Sequence, residues 1–451
     1  MRFAKLLQHM KKITFYIIYN LILSLPIVLF AQASQDTVVT LKQCVDFALH
    51  NQPLVRQAVI DEEINERDIR ISLSSWLPQL NSSDVYQHYF KGSPVSNSGS
   101  ASLPASGVIN REFSTLGLQA SQVIYNNDVL QAAKASRFSR QYYKENTLSN
   151  QINVVSEVSK AFYDVLLSQK QYDILNEDII RLQRSLKDAY NRYQAGVSDK
   201  TDYKQATISL NNSLAGRKQT AGAITSKLAF LKQIMGLSNT HNLQLAYDSN
   251  RYEQEATIDT NQTLNVNNRI EYRLLQTRKN LDYINVNYYR YGFLPSLSAT
   301  GSYNEIFLSN SLSNLYNKSF PSAYAGLSLF IPIFQGNKRL QNLSKARLQV
   351  DRAALDIINT TNVINTEYTQ ALANYKSNFT NWQLLKQNVE LAKDVYKVVS
   401  LQYREGVKIY LDVIVSQSDL RTAELNYYNA LFQVLSSKID LERSLGTITV
   451  Q

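Results

Sequence analysis

The chain has 451 residues, 44% of them hydrophobic, with 14 Gly, 8 Pro and 29 Tyr, a composition that excludes a disordered or collagen-like chain and supplies a large core. Its formal net charge is +10, but Arg2, Lys5, Lys11 and Lys12 precede the first acid, and the remaining excess of about +6 is spread without a Lys/Arg block, which argues against nucleic acid as a partner. The single cysteine, Cys44, excludes an intrachain disulfide.

Residues 1–33 read as a secretory signal peptide: a basic start, an apolar run from Ile13 to Phe30, and Ala31-Gln32-Ala33 as a small-x-small cleavage pattern that leaves Ser34 first in the mature chain. The run is nearly long enough for an uncleaved anchor, but Asn20, Pro26 and the Ala33 site favour cleavage. No other stretch approaches the roughly eighteen apolar residues of a membrane-spanning helix. A mature chain that enters a membrane must then do so as a closed β-barrel.

Leu41 to Pro53 predicts a helix, with Cys44 buried on it as a small apolar residue too far from Ser34 to carry a lipid anchor. A strand follows Leu80. Residues 91–110, rich in Ser, Gly and Pro, read as an exposed loop. Leu116, Leu118 and Ala120 then alternate with Thr115, Gly117, Gln119 and Ser121 as a second strand. Without Pro from Asp128 to Ala195, the chain predicts a continuous helix on the order of 100 Å long. Tyr193-Gln194-Ala195-Gly196-Val197 ends it in a turn with Gly as C-cap, and Tyr203 to Met235 resumes the helical stripe. Residues 238–264 are polar and carry no strong helical stripe, so they read as a linker.

The second half of the chain repeats the first. Trp76-Leu77-Pro78-Gln79-Leu80 returns as Phe293-Leu294-Pro295-Ser296-Leu297, and the Tyr193 turn returns as Tyr403-Arg404-Glu405-Gly406-Val407, with Asp202 and Gly236 matched by Asp412 and Gly446. The chain is therefore one module written twice, 34–237 and 265–451, each reading helix, strand pair, very long helix, shorter helix. In the second, Leu297, Ala299, Gly301 and Tyr303 alternate with small polar residues, Ala325, Leu327, Leu329 and Ile331 alternate with Gly326 and Ser328, and Phe307 to Pro321 reads as an exposed loop.

The helices carry coiled-coil seams: Trp382, Leu385, Val389, Ala392, Tyr396, Val399 and Tyr403 step by three and four, and Leu411, Ile414, Ser418, Arg421 and Leu425 continue. An ordinary filamentous coiled coil would share them, but strand pairs entered through Leu-Pro do not belong in a rod. One apolar and one small-polar strand face suits a barrel between lipid and water, although a half-buried soluble sandwich alternates in the same way. Four strands cannot close a barrel, which needs about eight or more, so several copies must share one. Three copies make twelve strands.

In the order, duplication and spacing of these motifs the mature chain resembles the TolC family of outer membrane efflux proteins. The residues that carry the likeness are Asn51-Gln52-Pro53 at the end of the first helix, the two Leu-Pro strand entries, the two Tyr-x-x-Gly-Val turns with Asp202 and Asp412, and the closing Leu441 to Gly446. The resemblance implies a mixed α and β membrane protein: a homotrimer with four strands per chain in a shared twelve-stranded barrel, continued by antiparallel coiled-coil helices as a periplasmic tunnel. It implies a cell outer membrane location in contact with outer-membrane lipid, and as partners a periplasmic adaptor (membrane fusion protein) and an inner-membrane transporter. It also implies a periplasmic gate, in which Tyr403 matches the gate tyrosine, Lys408 stands where an arginine is found, and Asp202 and Asp412 match aspartates of the constriction; Val415 stands where another Asp is expected. The tips Ala195-Gly196-Val197 and Glu405-Gly406-Val407 are by the same resemblance the docking sites of the adaptor.

No catalytic constellation competes. His9, His50, His88 and His241 are far apart with no metal or nucleophile spacing, and no Gly-rich phosphate loop occurs, so neither catalysis, metal nor cofactor is expected and transport energy must come from a partner. The reading is a passive exit duct of a tripartite efflux pump for drugs and other toxic solutes. The alternatives are the outer-membrane component of a type I protein secretion or metal efflux system, and, from another class, a secreted coiled-coil scaffold or adhesion protein.

Overall fold

The computed structural model describes residues 38–91, 111–247 and 249–450. The signal peptide and the loop of residues 92–110 lie outside the described residues. Two units are distinguished: a small one that holds Val38 and residues 242–244 among the described residues, and one that holds Val39–His241 and Leu245–Gln451. The described elements in chain order are β1 (Val38–Val39), α1 (Leu41–Asn51), α2 (Pro53–Ser74), β2 (Gln79–His88), β3 (Glu112–Tyr125), α3 (Asn127–Gln194), α4 (Lys200–Met235), β4 (Gln244–Leu245), α5 (Ser249–Glu255), α6 (Ile270–Tyr291), β5 (Ser296–Ser309), β6 (Ser319–Phe330), α7 (Lys338–Arg404) and α8 (Tyr410–Leu445).

The first helix starts where Thr40 and Gln43 form a capping box, the Thr40 amide donating to Gln43 Oε1 at 2.9 Å and the Gln43 amide to Thr40 Oγ1 at 3.4 Å. It ends earlier than expected. The Pro53 ring excludes helical backbone at the preceding residue: Gln52 turns extended (φ −65°, ψ 123°) and Pro53 opens α2 at its first position. Cys44 is fully buried, as expected, and its thiol is pushed up to about 12 by that burial.

The four long strands form one antiparallel sheet in the order β2-β3-β5-β6, so the two halves of the chain meet at β3 and β5. Registers such as Ser82 with Leu118, Leu118 with Tyr303 and Tyr303 with Ala323 place alternate residues on shared faces. One face carries Leu80, Leu116, Leu118, Ala120, Leu297, Ala299, Ala325, Leu327 and Leu329; Leu118, Leu327 and Leu329 are exposed there at 50%, 71% and 61%. The other face carries Ser83, Gly117, Gln119, Ser298, Thr300 and Ser328. The outer edges of β2 and β6 have no partner strand within the described residues.

The connection from β5 to β6 is exposed, as expected within Phe307 to Pro321, except at Leu315, but it is shorter and more ordered than the sequence suggests. β5 runs on to Ser309, β6 starts at Ser319, and a 3₁₀ turn over Leu312–Asn317 packs back. Leu315 is fully buried, the Phe307 and Tyr316 rings meet edge to face at 5.0 Å, and the Tyr316 hydroxyl lies 3.4 Å from Ser114 Oγ.

The helix α3 has 68 residues and α7 has 67, each about 100 Å long at 1.5 Å per residue. Each returns as a 36-residue helix, α4 and α8. Residues 238–264, whose sequence carries no strong helical stripe, contain the seven-residue α5, and residues 253–258 are fastened to the second hairpin. There Tyr375 of α7 donates its hydroxyl to Ala256 O at 2.8 Å and accepts from the Ile258 amide at 3.0 Å, while Glu253 accepts from Lys386 Nζ at 2.5 Å and from the Tyr427 hydroxyl.

Gly236 and Gly446 end α4 and α8 with φ of +72° and +71°. A Cβ would stand 2.6 Å from Asn51 O at Gly236 and 2.8 Å from Asn268 O at Gly446. The left-handed backbone alone disfavours an L side chain by about 1–2 kcal/mol, and the carbonyl clash adds to it. Gly446→Ala is therefore expected to lower the thermal unfolding midpoint by several degrees, whereas Gly222→Ala, mid-helix with open space at its Cβ, raises stability by about 1 kcal/mol; equal midpoints would refute the packing argument.

Candidate functional site

The two hairpin turns are built alike. Each long helix ends on a glycine of positive φ, Gly196 at +74° and Gly406 at +79°. The Gly196 amide donates to Tyr193 O and the Val197 amide to Arg192 O, both at 3.0 Å; the Gly406 amide donates to Tyr403 O at 3.1 Å and the Val407 amide to Gln402 O at 2.8 Å. This pair of bonds satisfies the last helical carbonyls and lets the chain reverse sharply. Asp199 then caps α4 by accepting from the Thr201 amide at 2.7 Å.

Behind the turns the two hairpins pack on each other. Ala189 of α3, Ala206 of α4, and Tyr410 and Ile414 of α8 form a buried cluster, against which Leu186, Tyr203 and Tyr403 rest. The Tyr410 hydroxyl is 2.9 Å from Ser185 Oγ, and burial pushes that phenol up to about 12. The Tyr403 ring lies 5.6 Å from that of Tyr410, tilted by 57°, and the Arg192 guanidinium lies 4.6 Å over the Tyr403 ring.

The sequence-predicted gate residues fall into two groups. Lys408, in the turn just before α8 and not on the helix itself, places Nζ 3.5 Å from Oδ2 of Asp412 in the first turn of α8, with both side chains exposed. Tyr403 and Asp202 are neighbours across the hairpins: burial raises the Tyr403 phenol, Arg192 opposes that rise, and the Asp202 charge adds to it. Asp202 is itself raised by burial and then by the charge of Asp199. No hydrogen bond joins the two, and the buried Tyr403 hydroxyl has no partner among the described residues. Within one chain, then, the tyrosine is held by an arginine and a ring.

Ala195, Gly196, Val197, Glu405, Gly406 and Val407 all lie exposed at the turns. Val197 and Val407 are 71% and 72% exposed, and Ile409, Leu411 and Val415 continue the apolar surface onto α8. Sequence reasoning missed Arg192, whose signal was its place in the last turn before Gly196, and missed the exposure of Ile409 and Leu411. Among the described residues no group of three or more His, Cys, Asp or Glu side chains is placed to hold a metal ion. No described helix is long and apolar enough to cross a membrane.

Comparison with known proteins bears on this geometry. A family model described as outer membrane efflux protein matches residues 45–237 and 273–447. The chain is similar to outer membrane protein TolC of Vibrio cholerae, 20% identical over 410 residues and covering 90% of each protein. It is similar also to outer membrane protein OprJ of Pseudomonas aeruginosa, 22% identical over 411 residues, 90% of this chain and 84% of that one. Its fold matches crystal structures of CusC with a TM-score of 0.74 at 17% identity, covering 90% of this chain and 91% of that one. The outer membrane protein VceC of Vibrio cholerae matches with a TM-score of 0.72 at 15% identity, covering 90% and 96%. With both halves matched, the helix hairpins and the four strands have one reading: the chain belongs to the outer membrane efflux protein family that includes TolC, and it is an efflux protein of the cell outer membrane.

Proposed function

We propose that three copies of this chain form the exit duct of a tripartite efflux pump, a passive channel from a periplasmic adaptor and an inner-membrane transporter to the exterior. The observation that carries this reading is the sheet β2-β3-β5-β6, which in the half nearer the helices is largely aliphatic on one face (Leu80, Leu118, Leu297, Leu327, Leu329) and largely small or polar on the other (Gln119, Ser298, Thr300, Ser328), and whose two edges have no partner strand among the described residues. Hydrocarbon offers no hydrogen bonds to an open edge. Joining β6 of one copy to β2 of the next closes the edges, and three copies give a barrel wide enough for a wet lumen.

In this reading the chain is a repeated module, 34–237 and 265–451, joined by residues 238–264. Long helices of 68 and 67 residues, short helices of 36 each, and the matching caps Gly236 and Gly446 support it. Two unlike hairpins per chain then make six around the axis. Small apolar solutes are the favoured cargo, since a wide polar lumen contacts each solute weakly and relatives are named toluene and solvent efflux pump proteins; peptides and metal ions are the competing cargoes. The duct carries no chemistry of its own, and its partners supply the energy.

At the periplasmic end, three copies of Asp412 facing one axis would make an acidic ring whose mutual repulsion Lys408 relieves while the gate is closed. Asp412→Ala combined with Tyr403→Phe is expected to raise ion leak across planar bilayers, and unchanged conductance and open probability would reject the gate. Tryptophan at Val197 and Val407 is expected to abolish adaptor crosslinking while the oligomer persists; retained crosslinking counts against docking there. Detergent extracts of outer membranes are expected to give a trimer on unheated gels that dissociates on heating, and a monomer throughout would sink the shared barrel.

A further inference from the structure

A charged group lies deep between the two hairpins, well removed from the turns. Asp178, 16 residues before the end of α3, is 1% exposed, and its carboxylate is held by donors from both hairpins. Ser213 of α4 donates its hydroxyl to Asp178 Oδ2 at 2.8 Å. From α8, Gln417 Nε2 donates to Oδ1 at 3.0 Å, and Arg421 Nη1 donates to Oδ2 at 3.3 Å and to Ser213 Oγ at 3.0 Å. Arg181 stands 3.8 Å from the same carboxylate and 3.7 Å from Glu424.

A buried carboxylate is tolerated only while it is paired and hydrogen-bonded. Two of its three hydrogen-bonding side chains arrive on α8, so sliding or swinging that helix away here would strand the charge in a dry seam. Nearer the turns the bonding is of another kind. There the hairpins meet through Ala189, Ala206, Ile414 and the tilted pair Tyr403 and Tyr410, with the Lys408–Asp412 pair exposed. Aliphatic and aromatic packing is non-directional and can be remade after a shift, whereas a hydrogen-bonded ion pair has one register.

We propose that Asp178 is a positioning residue of the gate: with Arg421, Gln417 and Ser213 it pins α8 to the first hairpin, so that the segment bearing Tyr403 and Asp412 moves about this point while the helices beyond it stay together. The inference rests on the duct reading above. Arg421 occupies a seam position of α8 where an apolar residue would pack, and the clasp accounts for its presence.

The test is single-channel recording of the full-length protein in planar bilayers, with trimer content read on unheated gels. Asp178→Asn and Arg421→Met are each expected to raise closed-state conductance at least about tenfold, equivalent to 1.4 kcal/mol, with trimer content unchanged. The double variant, which leaves no charge unpaired, is expected to return to within about threefold of the wild type. Wild-type conductance in both single variants, or additive leaks in the double, overturns the proposal. If either single variant yields no trimer, Arg421→Lys, which keeps the charge and loses the fork, is expected to leak to an intermediate degree; wild-type leak there overturns the proposal too. A wild-type protein that forms no channel defeats the duct reading and this inference together, while a conducting wild type with an unaffected Asp178→Asn defeats only the latter.

Discussion

A peptide group placed in hydrocarbon must find its hydrogen bond within protein, and the rest of this molecule is arranged around that requirement. Four strands satisfy it between β2 and β6 but not beyond them. The chain cannot complete a barrel alone, and the pairing of β3 with β5 draws the two halves of the sequence into one sheet. Most of the described chain outside this sheet is helical, where backbone bonds are satisfied within each element. The helices leave the sheet at Asn127 and Lys338 and return only after a hairpin turn.

The helix seams raise a second problem. A stripe of apolar residues specifies which faces meet but tolerates slippage by a turn, and hairpins of this length have many near-equivalent registers. Buried polar groups remove the ambiguity at intervals. Glu145 of α3 accepts from Thr277 of α6 at 2.7 Å and from Gln141 at 3.0 Å. Arg269, 4% exposed, donates to Glu367 of α7 at 2.7 Å, to Glu271 at 3.0 Å and to Ser444 O of α8 at 3.2 Å. With Asp178 these nodes tie α3 to α4, α6 and α8, and the start of α6 to α7 and α8. Each is costly if its partners are displaced, and that makes each a marker of alignment.

The sequence made the periodic features legible. The α3 helix expected from Asp128 to Ala195 spans Asn127–Gln194, the alternations at Leu116 and Leu297 fall in β3 and β5, and both glycine turns cap the helices named for them. Features that depend on pairs far apart in the chain were not legible. Asp178 is unremarkable in its own helix and Arg421 stands out only as a charge in an apolar seam, and periodicity cannot say which charge in one seam meets which in another. The same holds for Glu253, whose partners Lys386 and Tyr427 lie on other elements, and for Leu315, whose Ser- and Asn-rich neighbours disguise a buried residue. Gln52 is a local failure: the Pro53 rule was available, and the helical stripe before it outweighed the rule.

The matched lengths of the hairpins restrict how such a chain can change over generations. One residue added to α3 would rotate every following side chain by about 100°, carrying Asp178 away from Ser213 and Gln417 while Glu145 stayed on Thr277. Because the nodes fix phase at several heights, an isolated insertion between them is out of phase with at least one. Seven residues come within about 20° of two full turns, so growth or shrinkage is admissible only in such steps, taken together in α3, α4, α7 and α8. The span from sheet to turn is thus inherited as a quantised length, and a lineage could adjust it to a wider or narrower cell envelope only by coordinated duplication or loss.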